Sequence, residues 1–359
     1  MLKERGAISF AVDSGYIARM SKPTNLYSVR VTPASDAPPR TVDPCPVCQT
    51  TTVDPSFAIQ GLESEIVVCQ QCGLGRFSPA PSAEQIGDFY PDEYYGDTGR
   101  KFEGLVETLV RIVAARQARF LTRGLPEGAR VLDVGCGRGV MLRAFADRGF
   151  EVHGTEYSEA ATRGADPRAT LHITPRLADA ALPAASFDQI VLWHVFEHLP
   201  DPRETVEEIH RLLKPGGKCV IAVPNFSSLQ ARLTGAGWFH LDPPRHLFHF
   251  PVTALRQLLE QNGFDCLAEH HFSLRQNPFG WVQSALNRFS ALPRNGLYVL
   301  LHRSSQSEKP FSRPQRWLFR LAFLLGMPIA VVLSVIAAIL RQGATVTVVA
   351  RRSSHSNLN

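Results

Sequence analysis

Val131-Leu132-Asp133-Val134-Gly135-Cys136-Gly137-Arg138-Gly139-Val140-Met141-Leu142 decides how the rest of the chain is read. An apolar strand pattern with one acid runs into glycines at alternate positions, and an apolar helix pattern starts at once. Glycine lets the backbone turn sharply and approach a ligand, and the helix that follows presents unpaired N–H groups there. The spacing is GxGxG: Val140 stands where the dinucleotide fingerprint GxGxxG needs its third glycine, and Asp133 lies inside the strand. Both details point to a ligand with an amino-acid-like ammonium rather than a pyrophosphate. A second strand pattern, Phe150 to Glu156, ends in an acid seventeen residues beyond Gly139, where a carboxylate can accept both hydroxyls of a ribose. The alternative for this turn is a packed βα junction that holds no ligand.

Working outward, Phe187 to Trp193 reads as a fourth strand with His194, Glu197 and His198 just past its carboxyl end, and Pro202 to Leu213 as a helix. Glu197-His198 reads equally as part of a site or as a buried cap network. Lys218 to Val223 is a fifth strand, Phe264 to Phe272 a sixth, and Gly343 to Ala350 its antiparallel partner. Four blocks, VLDVGCGRG, GTEYS, SFDQIVLWHVFEHLPDP and LLKPGGKCVIAVPN, resemble the class I S-adenosylmethionine-dependent methyltransferases, in particular a bacterial subgroup similar to the ubiquinone-biosynthesis O-methyltransferases. The likeness runs in continuous order over about residues 130–274. It implies an α/β fold: a Rossmann-like seven-stranded sheet with helices on both faces. It also implies that Asp133, Gly135, Gly137 and Gly139 surround the methionine part of S-adenosylmethionine and that Glu156 holds the ribose. Asp179, before Leu182-Pro183, is the expected adenine contact, although the usual pattern has its acid one residue earlier, at Ala178. His194 is expected to wall the donor pocket. Methyltransferases acting on amines of DNA bases usually carry an [Asp/Asn]-Pro-Pro-aromatic block where this chain has Trp-His-Val-Phe-Glu-His.

After the fifth strand a Pro-stiffened connection holds Trp238, His240, Asp242, Pro243, Pro244, Arg245, His246, His249 and Phe250. Polar groups this dense beside the donor edge read as acceptor recognition, with Trp238, Asp242, Arg245 and His246 as substrate-binding candidates. Methyl transfer needs a positioned nucleophile and a proton acceptor, and histidine suits the second task. His246 is the first candidate base, followed by His249 and His194; the alternative for each is a hydrogen bond that staples the loop. No two of these histidines stand at a recognised ligand spacing with a third nearby, so no second metal is expected.

Toward the N-terminus, Cys45-Pro-Val-Cys48 and Cys69-Gln-Gln-Cys72 are separated by twenty residues. Two such knuckles place four thiolates around one tetrahedral cation, so a structural zinc in a small N-terminal zinc ribbon is expected, closed to chemistry. Two disulfides or a redox pair are the alternative. Cys136, Cys219 and Cys266 are isolated and expected to be buried.

The chain has 359 residues, 44% hydrophobic and 20% charged, which excludes a mainly disordered chain, a collagen-like repeat and a disulfide miniprotein. Five segments are expected: a disordered tail at 1–43, the ribbon at 44–76, a helical linker at 77–128, the methyltransferase domain at 129–274 plus 343–352, and an insertion at 275–342. From Arg275 to Arg320 eight basic residues face the single acid Glu308, more than the whole chain's net charge of +5, so the basicity is local. Leu321 to Leu340 is uncharged and long enough to cross a bilayer. A single crossing would strand the seventh strand on the far side of its sheet, and Gly326-Met327-Pro328 is expected to break the segment into a re-entrant or surface-lying helical hairpin. Membrane association is therefore expected, with a true crossing or a buried interface as alternatives. Met1 to Met20 has no signal-peptide pattern, so the chain is expected in the cytoplasm, at the inner face of the membrane. The expected activity is methyl transfer from S-adenosylmethionine to an O, N or C nucleophile of a small or lipid-linked acceptor. Alternatives are an RNA or protein methyltransferase, which the few basic residues of the ribbon disfavour, and a non-catalytic membrane-attached scaffold that binds S-adenosylmethionine.

Overall fold

The computed structural model describes residues 30–34, 38–60, 62–89, 105–301 and 311–353; the expected tail over residues 1–29 lies outside them. The N-terminal module is an antiparallel sheet. Its strands are β1 (Val31–Pro33), β2 (Arg40–Thr41), β3 (Thr52–Ile59), β4 (Glu65–Cys69) and β5 (Gly75–Ser78). β3, β4 and β5 form a meander, and both β1 and β2 pair with β3. The stretch expected to be tail up to residue 43 therefore supplies two strands: Val31 opposes Ile59 and Arg40 opposes Val53. The module also extends past residue 76, through Ser78. Helices α1 (Ala83–Asp88) and α2 (Leu105–Leu121) follow.

Seven strands build the central sheet: β6 (Arg130–Val134), β7 (Glu151–Glu156), β8 (Thr170–Ile173), β9 (Phe187–Trp193), β10 (Leu213–Pro224), β12 (Phe264–His270) and β13 (Thr345–Arg352). Their order is β12-β13-β10-β9-β6-β7-β8, and β13 is antiparallel to both its neighbours. Alternate residues of a strand point to opposite faces, and each face is covered. Leu132, Ile190, Ile221 and Val348 pack under α4 (Pro202–Leu212) and α6 (Val252–Gln261). Val131, Val191 and Val220 meet α2 and α3 (Val140–Ala146). Strand order reverses between β6 and β9, and the crevice at their carboxyl ends is where sheets of this kind bind ligands.

The two sheets are joined through the connection after β10. It contains α5 (Leu229–Thr234) and a short strand, β11 (Phe248–His249), whose residues pair with Arg76 and Gly75 of β5. Leu247 donates its N–H to the carbonyl of Glu197 at 2.9 Å and accepts that of Phe77 at 3.3 Å. From α4, Arg203 donates to the carbonyls of Pro46 and Val47 in the first cysteine knuckle, at 3.0 and 3.1 Å. Phe250, fully buried, stacks on Phe196 with centroids 5.1 Å apart and belongs to the same apolar cluster as Cys45, Val47, Cys69 and Leu74. The N-terminal module is thus packed onto the α/β domain as one more layer.

The insertion differs from expectation. It contains α7 (Asn277–Asn287), α8 (Gly296–Leu301) and one continuous helix, α9 (Arg313–Ile339), of 27 residues with Pro328 inside it. No hairpin forms. Pro328 lies on the exposed side, and the packed side holds register across it through Phe319 before and Ala330, Ser334 and Ala337 after. The opposite side is apolar and bare: Trp317 is 70% exposed, Leu324 69% and Ile339 75%, with Leu321, Leu325, Val332 and Ile336 along the same stripe. By length and composition α9 could cross a membrane, but it lies along α7, and β13 begins six residues after it ends.

Phe250→Ala is expected to cost about 3–5 kcal/mol, the range for a buried phenylalanine, because it opens a cavity between the two sheets. A denaturant or thermal melt showing a loss under about 1 kcal/mol would contradict this packing account.

Candidate functional site

The glycine turn opens toward the crevice. Gly135, Gly137 and Gly139 all have positive φ, at +68°, +51° and +71°, where a side chain is strained. A Cβ on Gly135 would sit 2.6 Å from Val195, and one on Gly139 2.9 Å from Ala165, whereas at Gly137 nothing lies within 4 Å. The outer glycines permit close packing; the middle one borders open space. Glu156, at the end of β7, accepts the N–H of Gly137 and that of Tyr157, both at 2.8 Å. Each carboxylate oxygen keeps capacity for a further hydrogen bond. Asp133 is buried beside it, and burial, reinforced by the charge of Glu156, pushes its carboxyl up to about 7. Two acids this close, at the start of a helix and next to open space, form a site that a cationic ligand would relieve. Asp179 is placed differently: its carboxylate meets Arg176 at 3.0 and 3.1 Å on the surface, and Arg176 also reaches Glu204.

Beyond β9 the chain turns at His194 (φ +55°), and a cluster of histidines gathers around one acid. Glu197 is 1% exposed, and neither carboxylate oxygen accepts a hydrogen bond from the described residues. Its Oε1 lies 3.5 Å from Nδ1 of His194 and 4.0 Å from Nε2 of His246. His246 also approaches Asp242 at 3.7 Å, and Asp242 pairs with Arg245 at 2.7 Å. A carbonyl can only accept, so the carbonyl contacts fix the tautomers. Nδ1–H of His198 donates to Arg245, Nδ1–H of His246 to His240, and Nε2–H of His249 to Leu241, at 2.9, 2.8 and 3.0 Å. Burial drives His246 well below the usual histidine range, and lowers His249 to about 4 and His240 to about 3.

The expected acceptor residues are thus brought into one region but not all to its surface. His194, Asp242, His246 and His249 converge. Trp238 is buried in an apolar cluster, with its Nε1–H on Gln230 at 3.1 Å, and Arg245 is likewise buried. Glu197 and His198 hold the centre; the sequence reading left them equally open as part of a site or as a buried cap network and gave neither a specific role. The available signal was an acid-histidine pair just past the carboxyl end of a central strand.

In the N-terminal module Cys45, Cys48, Cys69 and Cys72 come together, with all four sulfurs within 4.8 Å of one another and none in a disulfide. Sγ separations of 3.5 Å (Cys45–Cys72) and 3.4 Å (Cys48–Cys69) are close to the about 3.8 Å edge of a tetrahedron with Zn–S bonds of about 2.3 Å. A hydrogen bond from Cys72 draws the Cys45 thiol down to about 5, while burial raises that of Cys69. Four crowded thiols that cannot all ionise by themselves fit a zinc ribbon. Of the other cysteines, Cys136 and Cys219 are buried, while Cys266 is half-buried.

Residues 106–269 match a family described as a methyltransferase domain. A ubiquinone biosynthesis O-methyltransferase of Psychrobacter arcticus is 40% identical over 108 residues, covering 27% of this chain and 42% of that protein. A probable S-adenosylmethionine-dependent methyltransferase of Mycolicibacterium smegmatis is 35% identical over 144 residues, covering 38% and 52%. The chain therefore spans about half the length of the curated relatives it matches. Among solved structures, phosphoethanolamine N-methyltransferase 2 of Haemonchus contortus, in complex with phosphomonomethylethanolamine and S-adenosylhomocysteine, aligns with a TM-score of 0.47 at 17% identity, over 77% of this chain and 61% of that one.

Cys69→Ser is expected to lower the zinc content of the purified chain by about one equivalent and to destabilise the N-terminal sheet. Metal analysis with an unchanged zinc content would refute the four-thiolate assignment.

Proposed function

We propose that this chain, which carries a class I S-adenosylmethionine-dependent methyltransferase domain, passes a methyl group from S-adenosylmethionine to an O, N or C nucleophile of a small or lipid-linked acceptor. The observation that carries this reading is the cradle at the strand-order reversal: open space over Gly137, with Glu156 locked onto its N–H and Asp133 buried behind. Asp133 would meet the ammonium of the donor's methionine part, the glycine turn would follow its backbone, and Glu156 would take the ribose hydroxyls. Asp179 would reach the adenine only by giving up Arg176.

Bound S-adenosylmethionine supplies a methyl group already made electrophilic by its sulfonium. The chain's own residues then have to place the acceptor, exclude water and take up a proton. Among the candidate bases, His194 has the most accessible ring, at the carboxyl end of β9, with Glu197 to orient it. His246 and His249 are fully interior and each spends one ring N–H on a backbone carbonyl, so they shape the acceptor wall.

The insertion supports a lipid-linked acceptor. Ser284 of α7 accepts the N–H of Phe239, and Arg294 donates to Ala236 and Trp238, so the insertion walls the acceptor connection. On its other side α9 presents the bare apolar stripe, with Arg313, Arg316 and Arg320 at its start. That combination suits a helix lying in the headgroup region of an anionic leaflet, here the cytoplasmic face, with zinc in the ribbon holding the opposite flank.

Two measurements test this. Incubating the chain with methyl-labelled S-adenosylmethionine and a cell extract should place label in the lipid phase, and the exposed-face variant Leu324→Glu should reduce it. Label in a water-soluble pool would remove the lipid part of the reading, and no label in any fraction would remove the transfer reading. Secondly, a cationic donor prefers ionised Asp133. Its Kd should therefore rise as pH falls below about 7, approaching tenfold per unit. Asp133→Asn should abolish that slope; a pH-independent Kd in the unsubstituted chain would detach Asp133 from the ammonium.

A further inference from the structure

We propose that Arg275, with Arg138 beside it, forms an anion-binding lip on the acceptor side of the crevice and takes a phosphate or diphosphate group of the acceptor. This deepens the methyl-transfer reading and rests on it: it names the acceptor as a phosphate-bearing molecule.

The two arginines come from distant turns that the sheet brings to one edge. β13 is antiparallel to both β10 and β12, so β12 runs in the same direction as β10, β9 and β6. The carboxyl ends of β6 and β12 therefore share an edge. Arg138 lies in the glycine turn after the first, and Arg275 in the turn after the second, just ahead of α7. From the insertion, Tyr298 of α8 sets its ring against Phe239 at 5.6 Å and Phe279 at 6.3 Å. Phe239 meets the ring of His240 at 5.1 Å, and His194 acts electrostatically on His240 in turn. Tyr298 and Arg138 are the electrostatic neighbours of Arg275. A continuous run of neighbours thus leads from the glycine turn through Arg275 and the aromatic rings to His194 at the end of β9, and it borders the acceptor half of the crevice.

Arg275 has no compensating partner on this border. It is exposed, yet makes no hydrogen bond or ion pair among the described residues. Burial by the protein around it holds its guanidinium below the ordinary arginine value, and the like charge of Arg138 adds to that effect. A side chain that is both open to solvent and hemmed in by protein lines a hollow rather than standing out from a convex surface. No acid among the described residues offsets it there. A phosphate would: its oxygens match the guanidinium fork, and its charge of about −1.5 to −2 offsets Arg275 while reaching toward Arg138. A carboxylate brings only one charge to the same place. The crevice is also sorted by sign. Asp133 and Glu156 gather at the donor turn and favour a cation, whereas the arginine lip on the acceptor side favours an anion, so each substrate is drawn to its own half.

The experiment is calorimetric titration of the full chain, loaded with S-adenosylhomocysteine, with inorganic pyrophosphate and with a short prenyl diphosphate. Arg275→Gln should weaken pyrophosphate binding about tenfold or more, the effect of losing one charge-assisted pair, and leave S-adenosylhomocysteine binding unchanged. Arg275→Lys, which keeps the charge without the fork, should fall between the two. Arg320→Gln, which removes an exposed charge of α9, should leave the pyrophosphate affinity as it was. Equal weakening in Arg275→Gln and Arg320→Gln, or none in Arg275→Gln, overturns the site, because the anion then sits on basic surface at large. Weaker S-adenosylhomocysteine binding in both Arg275 variants overturns it as well, because the arginine then serves the donor's carboxylate. Tighter binding of the prenyl diphosphate than of pyrophosphate identifies a lipid-linked source of the phosphate, and equal binding a water-soluble one; either supports the site. Failure of the unsubstituted chain to bind S-adenosylhomocysteine counts against the methyltransferase reading, while its binding without any uptake of pyrophosphate counts against the anion site alone.

Discussion

The segment from Arg245 to Phe250 has almost no regular structure of its own, yet the arrangement around the crevice depends on where it is held. Its backbone is claimed from two sides. The Arg245 carbonyl takes the ring N–H of His198 and Leu247 bonds to the Glu197 carbonyl, while Phe248 and His249 add a short strand to β5 of the N-terminal sheet. Phe250 then closes the end by stacking on Phe196. A loop pinned by backbone hydrogen bonds at both edges loses little further entropy when it orders its side chains, so His246 can be aimed at the Glu197 carboxylate.

That clamp gives the cysteine module a physical role that a separate zinc bead would not have. β5 follows the second knuckle directly, and Arg203 of α4 grips the first knuckle through two carbonyls. Fixing the four sulfurs therefore fixes the register of β5, and through β11 the positions of His246 and His249. A closed four-sulfur site performs no chemistry, but it can set the geometry of residues around the crevice.

The glycine turn, the strands around it and the order of the sheet were legible because each rests on a local pattern: apolar runs of strand length, glycines at positive φ, and an acid at a strand end. β9, Phe187–Trp193, coincides with its sequence reading for that reason. The four-cysteine cluster was legible from ligand spacing alone. The histidine centre was not. His198 and His246 are nearly fifty residues apart, and only the return of the acceptor connection along β5 brings them together. The two strands at 31–33 and 40–41 escaped notice because short polar edge strands carry little periodicity and gain their pairing from β3. Trp238 and Arg245 looked like recognition residues by type, but an indole satisfied by Gln230 and a guanidinium satisfied by Asp242 can both be interior.

The continuity of α9 shows how tertiary packing overrides a local breaker. Pro328 removes one backbone donor and crowds the preceding turn, a cost of about 3 kcal/mol in an unsupported helix. Here Phe319 and Ala330 anchor the packed side on either side of it, and Gly326 lets the helix approach Val282 of α7 closely. Because one side is committed to α7 and α8 along its length, the apolar residues on the other cannot be core. They are the outer wall of the same insertion that lines the acceptor connection.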